Sequence, residues 1–265
     1  MKIVIFTSNA IRHKYVANIL TKNADDLLVI AECKKNNFCD IEKSKAPLSP
    51  IEEHFYLRYK AEKMFFSDHD FFISKTLPLI YKEANSLYTY EVVKKFRPDL
   101  MFVFGASLIK EPYLSLLPSG RFINLHLGLS PYYRGSGTNF WPFVNRELEY
   151  VGSTILHIDA GIDTGDIITH VLPKIEIGDN VHSIGCKVIK ESAQYLSEII
   201  NLVKQGKALN RVVQWKAENE KYYTNSDFTL EALNTYKNNL SNGLIEKYLN
   251  SKKNKIRYIL LNNTK

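Results

Sequence analysis

Residues 2–7 run Lys-Ile-Val-Ile-Phe-Thr, an apolar stretch of β-branched and aromatic residues with no polar alternation. It reads as a buried strand. A polar turn, Ser8-Asn9-Ala10, follows, then a helical stretch over about 11–21 and a second apolar, strand-like run over 27–33. A β-turn-α-β opening predicts an α/β protein with a doubly wound sheet. The turn holds no glycine, so the G-x-G-x-x-G fingerprint of dinucleotide binding is missing.

The same pattern continues along the chain. Residues 51–66 and 89–95 read as helices, the second ending before Pro98. Residues 99–105, closed by Gly105, form a short, strongly apolar run suited to a central strand. Strands are also expected over 121–127 and 151–158, and a long amphipathic helix over 182–205 before Gly206. Beyond about residue 210 the chain turns rich in Lys, Asn and Tyr, with a hairpin signal over 212–223 and short helices after it. The expected division is a catalytic domain over 1–208 and a small hairpin and helical extension over 209–265.

Composition narrows the function classes. The formal net charge is +7, but the basic residues are scattered, with one cluster at Lys252, Lys253, Lys255 and Arg257. No aromatic-basic pattern accompanies that cluster, so a solvated surface is expected rather than a nucleic-acid site. Cys33, Cys39 and Cys186 show no metal-ligand spacing and read as free thiols in a reducing cytosol. No metal is expected. No apolar run is long enough for a signal peptide or a membrane span, so the expected location is cytoplasmic and off the membrane.

Chemistry concentrates in two stretches. Along Phe122-Ile123-Asn124-Leu125-His126-Leu127, strand side chains alternate faces. Asn124 and His126 therefore share one face, opposite Ile123, Leu125 and Leu127. The turn-rich stretch GLSPYYRGSGT follows at once. Two polar groups thus stand at a strand end beside a loop, where open α/β sheets bind ligands. Alone, such a pair more often means two satisfied structural residues. The second stretch, residues 157–166, puts Asp159, Asp163 and Asp166 with two glycines in one loop. A carboxylate from this loop can hold the His126 imidazole in one tautomer and stabilise its protonated form. Chemistry alone leaves all three aspartates as candidates.

These motifs resemble those of the formyltransferases that use 10-formyltetrahydrofolate. The resemblance spans about residues 1–205 and is sharp over 98–170. It rests on the Asn124-x-His126 strand, the loop Leu129-Ser130-Pro131-Tyr132-Tyr133-Arg134-Gly135, and the turn Ile162-Asp163-Thr164-Gly165. Many family members carry Pro-Ser after the histidine; here Leu127-Gly128 stands there, which puts the loop's shape in question. The resemblance implies a Rossmann-like, mostly parallel sheet with a small C-terminal appendage, 10-formyltetrahydrofolate as co-substrate, and Asn124, His126 and Asp163 as catalytic residues. An amine would attack the formyl carbon, with Asn124 and a protonated His126 donating to the oxyanion that forms. One such donor is typically worth about 2.7–4 kcal/mol of barrier. His126 would carry the proton between the two nitrogens, and Asp163 would orient it. The resemblance also implies a pterin site against Ser107, Leu108, Ile109 and Lys110, held through backbone groups. The backbone of the loop from Asp159 to Asp163 would close its other side. Leu108 and Ile109 fit plain core equally well.

The resemblance leaves several acceptors. Methionyl-tRNA formyltransferases carry a further C-terminal barrel, for which the residues after the long helix are too few. Glycinamide ribonucleotide enzymes carry a glycine-rich phosphate loop where Ser8-Asn9-Ala10 stands. The sugar N-formyltransferases fit best, implying a dTDP- or GDP-linked amino-deoxysugar and a place in O-antigen or capsule synthesis. A diphosphate needs cationic donors and a base needs an aromatic platform. Candidates are Arg134 and Lys75 for the first, Trp141, Tyr132 or Tyr133 for the second, with Ser8 and Asn9 at the first turn. Each fits a structural role as well. The alternatives are a formyltransferase acting on another amine, a formyltetrahydrofolate hydrolase, and a non-catalytic nucleotide-binding or RNA-binding module. The C-terminal segment, with Trp215, Tyr222 and Tyr223, is expected to serve substrate closure or subunit contact, which allows a homodimer.

Overall fold

The computed structural model describes residues 1–34, 47–251 and 255–261. Cys39, Lys252 and Lys253 lie outside the described residues.

Five strands, β1 (Lys2–Ser8), β2 (Asp26–Cys33), β3 (Lys75–Ile80), β4 (Leu100–Val103) and β5 (Phe122–His126), run parallel in the order β3-β2-β1-β4-β5. A short strand, β6 (Tyr133–Gly135), lies outside this sheet. The strands β7 (Ser153–His157) and β8 (Ile167–Val171) extend the sheet beyond β5, each antiparallel to its neighbour. The lack of polar alternation in β1 is explained by its cover: Ile3 and Ile5 enter one apolar cluster, Val4 and Phe6 the other, and all four are fully buried.

On one face pack α1 (Ile11–Thr21) and α2 (Pro50–Phe66); α3 (Leu87–Phe96) covers the other through Val93. A short α4 (Trp141–Asn145) and the long α5 (Val181–Lys204) follow, and α5 packs against α1 and α2. Ser49 caps α2 in a reciprocal box with Glu52, and Asn180 accepts from the first amides of α5. After β9 (Lys221–Tyr223) come α6 (Leu230–Ser241) and α7 (Leu244–Asn250). Residues on both sides of the expected division near 208 share one apolar cluster: Leu129, Tyr133 and Phe143 pack with Leu233, Tyr236 and Ile245. No described helix is long and apolar enough to cross a membrane.

Three features depart from the sequence reading. Residues 75–80 form the edge strand β3, where Pro78 faces Ala31 of β2; an edge strand tolerates proline because the missing N–H can face away from the ladder. Residues 167–171, directly after the aspartate-rich loop, form β8. The hairpin expected over 212–223 does not form. Val212 instead bridges Ile167 on the sheet, and β9 pairs in parallel with β6. The two ends of the segment find separate partners because each meets a different backbone edge, one at β8 and one at β6.

Candidate active site

The strand order reverses between β1 and β4, the switch point at which doubly wound sheets bind ligands beyond the strand carboxyl ends. A cleft of about 890 Å³ opens there, within the size range of ligand sites. β5 contributes Asn124 and His126. Their neighbours Ile123 and Leu125 point into the opposite cluster, as the two-residue period requires.

Asp163 meets both. His126 Nδ1 lies 3.1 Å from Asp163 Oδ2, and Asn124 Nδ2 donates to Asp163 Oδ1 at 2.9 Å. The other ring nitrogen, Nε2, lies 3.2 Å from the Tyr133 carbonyl. Both partners of the ring are acceptors: a neutral ring can donate to one of them, a doubly protonated ring to both. The Asn124 amide keeps a second N–H beyond the one given to Asp163. His126 is buried, with 7% exposure. The other two aspartates are engaged elsewhere: Asp159 accepts from Gly161 N and Thr164 Oγ1 in its own loop, and Asp166 pairs with Arg211 at 3.3 Å. The loop after β5 is held by one hydroxyl, Thr154 Oγ1, which accepts from Ser130 N at 2.8 Å and donates to the Gly128 carbonyl at 2.6 Å.

Two exposed apolar side chains, Leu108 (46%) and Ile162 (51%), line the cleft from opposite segments. Residues 104–109 and 161–163 also line the cleft beside them. Two of the expected backbone donors have partners within the protein. Ser107 N donates to Glu32 Oε2 at 2.8 Å and Lys110 N to Asn85 Oδ1 at 2.8 Å, so these amides are already used. Ile109 lines the cleft but is 3% exposed and packs in the core, and Lys110 lies outside the cleft lining.

The residues nominated for an anionic acceptor are mostly placed elsewhere. Lys75 stands on the edge strand, exposed and paired with Asp26 at 3.4 Å. Tyr132 and Tyr133 are buried; Tyr132 hydrogen bonds Arg257 main chain, and Tyr133 donates to Glu147. Arg134 pairs with Glu220 at 3.2 Å, outside the cleft lining. Ser8 is buried against His13 Nδ1 at 2.6 Å, and Asn9 exchanges two hydrogen bonds with Lys34 main chain. Of these candidates only Trp141 lines the cleft, and its ring stacks on Tyr223 at 4.0 Å.

Different cations line it instead: Arg12, Lys34 and Arg58. Arg12 and Arg58 share the Glu62 carboxylate, at 2.5 and 3.7 Å, and Lys34 Nζ donates to the Gly105 carbonyl at 2.9 Å. Lys34 and Arg58 are held below their ordinary pKa range, first by loss of hydration, with the Arg12 charge adding to it. The sequence carries no motif that singles these out; they come from α1, α2 and the end of β2. Two buried imidazoles, His54 and His182, line the same cleft with ring centroids 4.6 Å apart. Cys33 and Cys186 are free, and burial pushes the Cys186 thiol up to about 12. Among the described residues no group of three or more His, Cys, Asp or Glu is placed to hold a metal ion.

Residues 1–200 match the family model described as formyl transferase. A methionyl-tRNA formyltransferase of Desulforamulus reducens is 33% identical over 115 residues, 43% of this chain and 36% of that protein. The match therefore spans well under two thirds of that relative's length. The crystal structure of a 4-N formyltransferase from Francisella tularensis superposes with a TM-score of 0.56 at 18% identity, covering 89% of this chain and 86% of that one. An N-formyltransferase from Helicobacter canadensis, solved with folinic acid and dTDP-3-aminofucose, gives 0.55 at 18% identity, covering 86% and 73%. At such identities these two structures establish a shared fold.

Proposed function

The chain belongs to the formyl transferase family, and on that footing we propose that it moves a formyl group from 10-formyltetrahydrofolate to the amine of a nucleotide-linked amino-deoxysugar. The observation that carries the chemistry is Asp163 contacting both Asn124 and His126 at the head of one cleft. The cations Arg12, Lys34 and Arg58 on the same cleft, two of them sharing Glu62, support an anionic acceptor; the other lining carboxylates, Asp159 and Asp163, belong to the loop that meets His126. The N-formyltransferase from Helicobacter canadensis, solved with folinic acid and dTDP-3-aminofucose, shares the fold, and the sugar acceptor is carried over from it as part of this proposal.

Bound folate supplies an activated formyl carbon and a nitrogen leaving group. Leu108 and Ile162, both exposed on the cleft, would flank its ring system. The free N–H of Asn124 donates to the oxygen on which negative charge develops, and Nε2–H of His126 joins it once the ring has taken the amine's proton. As the acceptor's carbon–nitrogen bond forms and the donor's breaks, a neutral His126, its Nδ1–H kept on Asp163, takes the proton lost by the amine at Nε2 and delivers it to the departing nitrogen. The Asp163 carboxylate stabilises the ring in its charged state.

Incubation with 10-formyltetrahydrofolate and a panel of dTDP-, GDP- and UDP-linked amino sugars tests this by mass spectrometry. A product heavier by one formyl group is expected on one of them. The identity to methionyl-tRNA formyltransferases makes initiator methionyl-tRNA the natural comparison, and formylation of that substrate alone would overturn the sugar assignment. Release of free formate without an acceptor would indicate a hydrolase.

A further inference from the structure

Both ring nitrogens of His126 face groups that the segment 212–223 holds from outside. Asp163, opposite Nδ1, has a φ of 54°, a left-handed conformation uncommon for a residue with a side chain. Its carbonyl and that of Gly165 accept from one donor, Gln214 Nε2, at 2.7 and 2.9 Å. Gln214 therefore closes the turn across the residue that aims the carboxylate. Opposite Nε2, Tyr133 belongs to β6, whose partner strand is β9. Lys221 N donates to the Tyr132 carbonyl at 2.8 Å and Ser136 N to the Tyr223 carbonyl at 2.7 Å, bracketing β6 at both ends. Lys221 Nζ also lies 2.8 Å from Glu147, the carboxylate that takes the Tyr133 hydroxyl.

We propose that residues 212–223 form a positioning clamp, with Gln214 as the residue that sets Asp163 against His126 Nδ1 while β9 sets the Tyr133 carbonyl against Nε2. Neither Gln214 nor β9 need touch substrate; they act through the orientation of the imidazole. Catalytic groups displaced by about an ångström lose on the order of 10²-fold in rate, so a turn released at Asp163 is felt at the chemistry. The rate consequence rests on the proposed role of His126 in formyl transfer; the orientation does not.

The test compares the wild-type chain with Gln214→Met, which keeps the length of the side chain and removes its donor. In protein labelled with ¹⁵N-histidine, with His126 assigned by its loss in His126→Gln, the Nδ1–H resonance of the ring bonded to Asp163 is expected in the wild type. It is expected to broaden or vanish in Gln214→Met, with the unfolding midpoint little changed and kcat reduced about 10²-fold. Gln214→Asn, polar but one methylene short of spanning both carbonyls, carries the same expectation and serves if the methionine variant does not fold. A folded variant in which the His126 resonance is unchanged overturns the clamp, whatever its activity. Loss of the resonance, in a chain that formylates nothing, upholds the clamp and removes the proposed reaction alone.

Discussion

A Cβ placed on Gly128 would lie 2.5 Å from His126 Nε2 and 2.6 Å from Thr138 Cβ. The Leu127-Gly128 pair that departs from the family's usual Pro-Ser is thus matched to this loop's close approach to the imidazole. Gly128→Ala is expected to push His126 off its two partners and to lower kcat about 10²-fold. The unfolding midpoint should fall modestly. Steady-state kinetics showing wild-type kcat in a folded Gly128→Ala protein would mean that the loop yields instead of the ring.

Asp163→Asn isolates charge from geometry. Asparagine tolerates the left-handed backbone found at this position nearly as well as aspartate, so the turn survives. The neutral amide cannot stabilise the imidazolium, and kcat is expected to drop about 10² to 10⁴-fold. Equivalent loss in Asp159→Asn would show that the loop, not the one carboxylate facing His126, matters.

His126→Ala should lose nearly all formyl transfer while folate binding persists. The side chains and main chain that flank the proposed ring site, around Leu108 and Ile162, do not depend on the imidazole. General acid–base catalysis is worth about 10² to 10⁴-fold, and the loss of an oxyanion donor overlaps with it. Turnover within about tenfold of wild type would remove His126 as the central catalyst. Loss of folate binding, measured by calorimetry, would redraw it as a residue that shapes the cleft.

The His54 and His182 rings should make stability fall in acid. Burial holds His54 at about 4 and His182 at about 3, with Arg58 adding to both, Lys237 to the first and His54 to the second. Unfolded, each ring returns to about 6.5. Between about pH 6.5 and about pH 3 the unfolded chain therefore binds more protons than the folded one. Stability present above that window is lost as pH falls through it. Unfolding midpoints recorded from about pH 7 down to about pH 4 should decline, and His54→Phe, which removes one titrating ring among Phe55, Phe140 and Phe228, should flatten the slope. An identical slope in that variant would assign the acid sensitivity elsewhere.

What the chain alone determined was whatever short-range periodicity dictates. Side chains two residues apart on a strand share a face, so Asn124 and His126 had to point together, and a strand as apolar as 2–7 had to be covered on both sides. Local pattern could not choose among Asp159, Asp163 and Asp166, because the choice depends on the path of a turn. Asp159 is spent on Gly161 and Thr164 in its own loop, Asp166 on Arg211, and only Asp163, at its left-handed φ, reaches the ring. The misread hairpin has the same origin. Its alternating residues carry a strand signal but no address, and the partners of Val212 and Tyr223 are backbone edges far away in sequence, at Ile167 and Gly135. Arg12, Lys34, Arg58 and Gln214 likewise acquire meaning only when helices, sheet and C-terminal segment are assembled. Long-range contacts of single side chains leave no period in the sequence, and it was the tertiary fold that decided which cations line the cleft and what holds the catalytic turn.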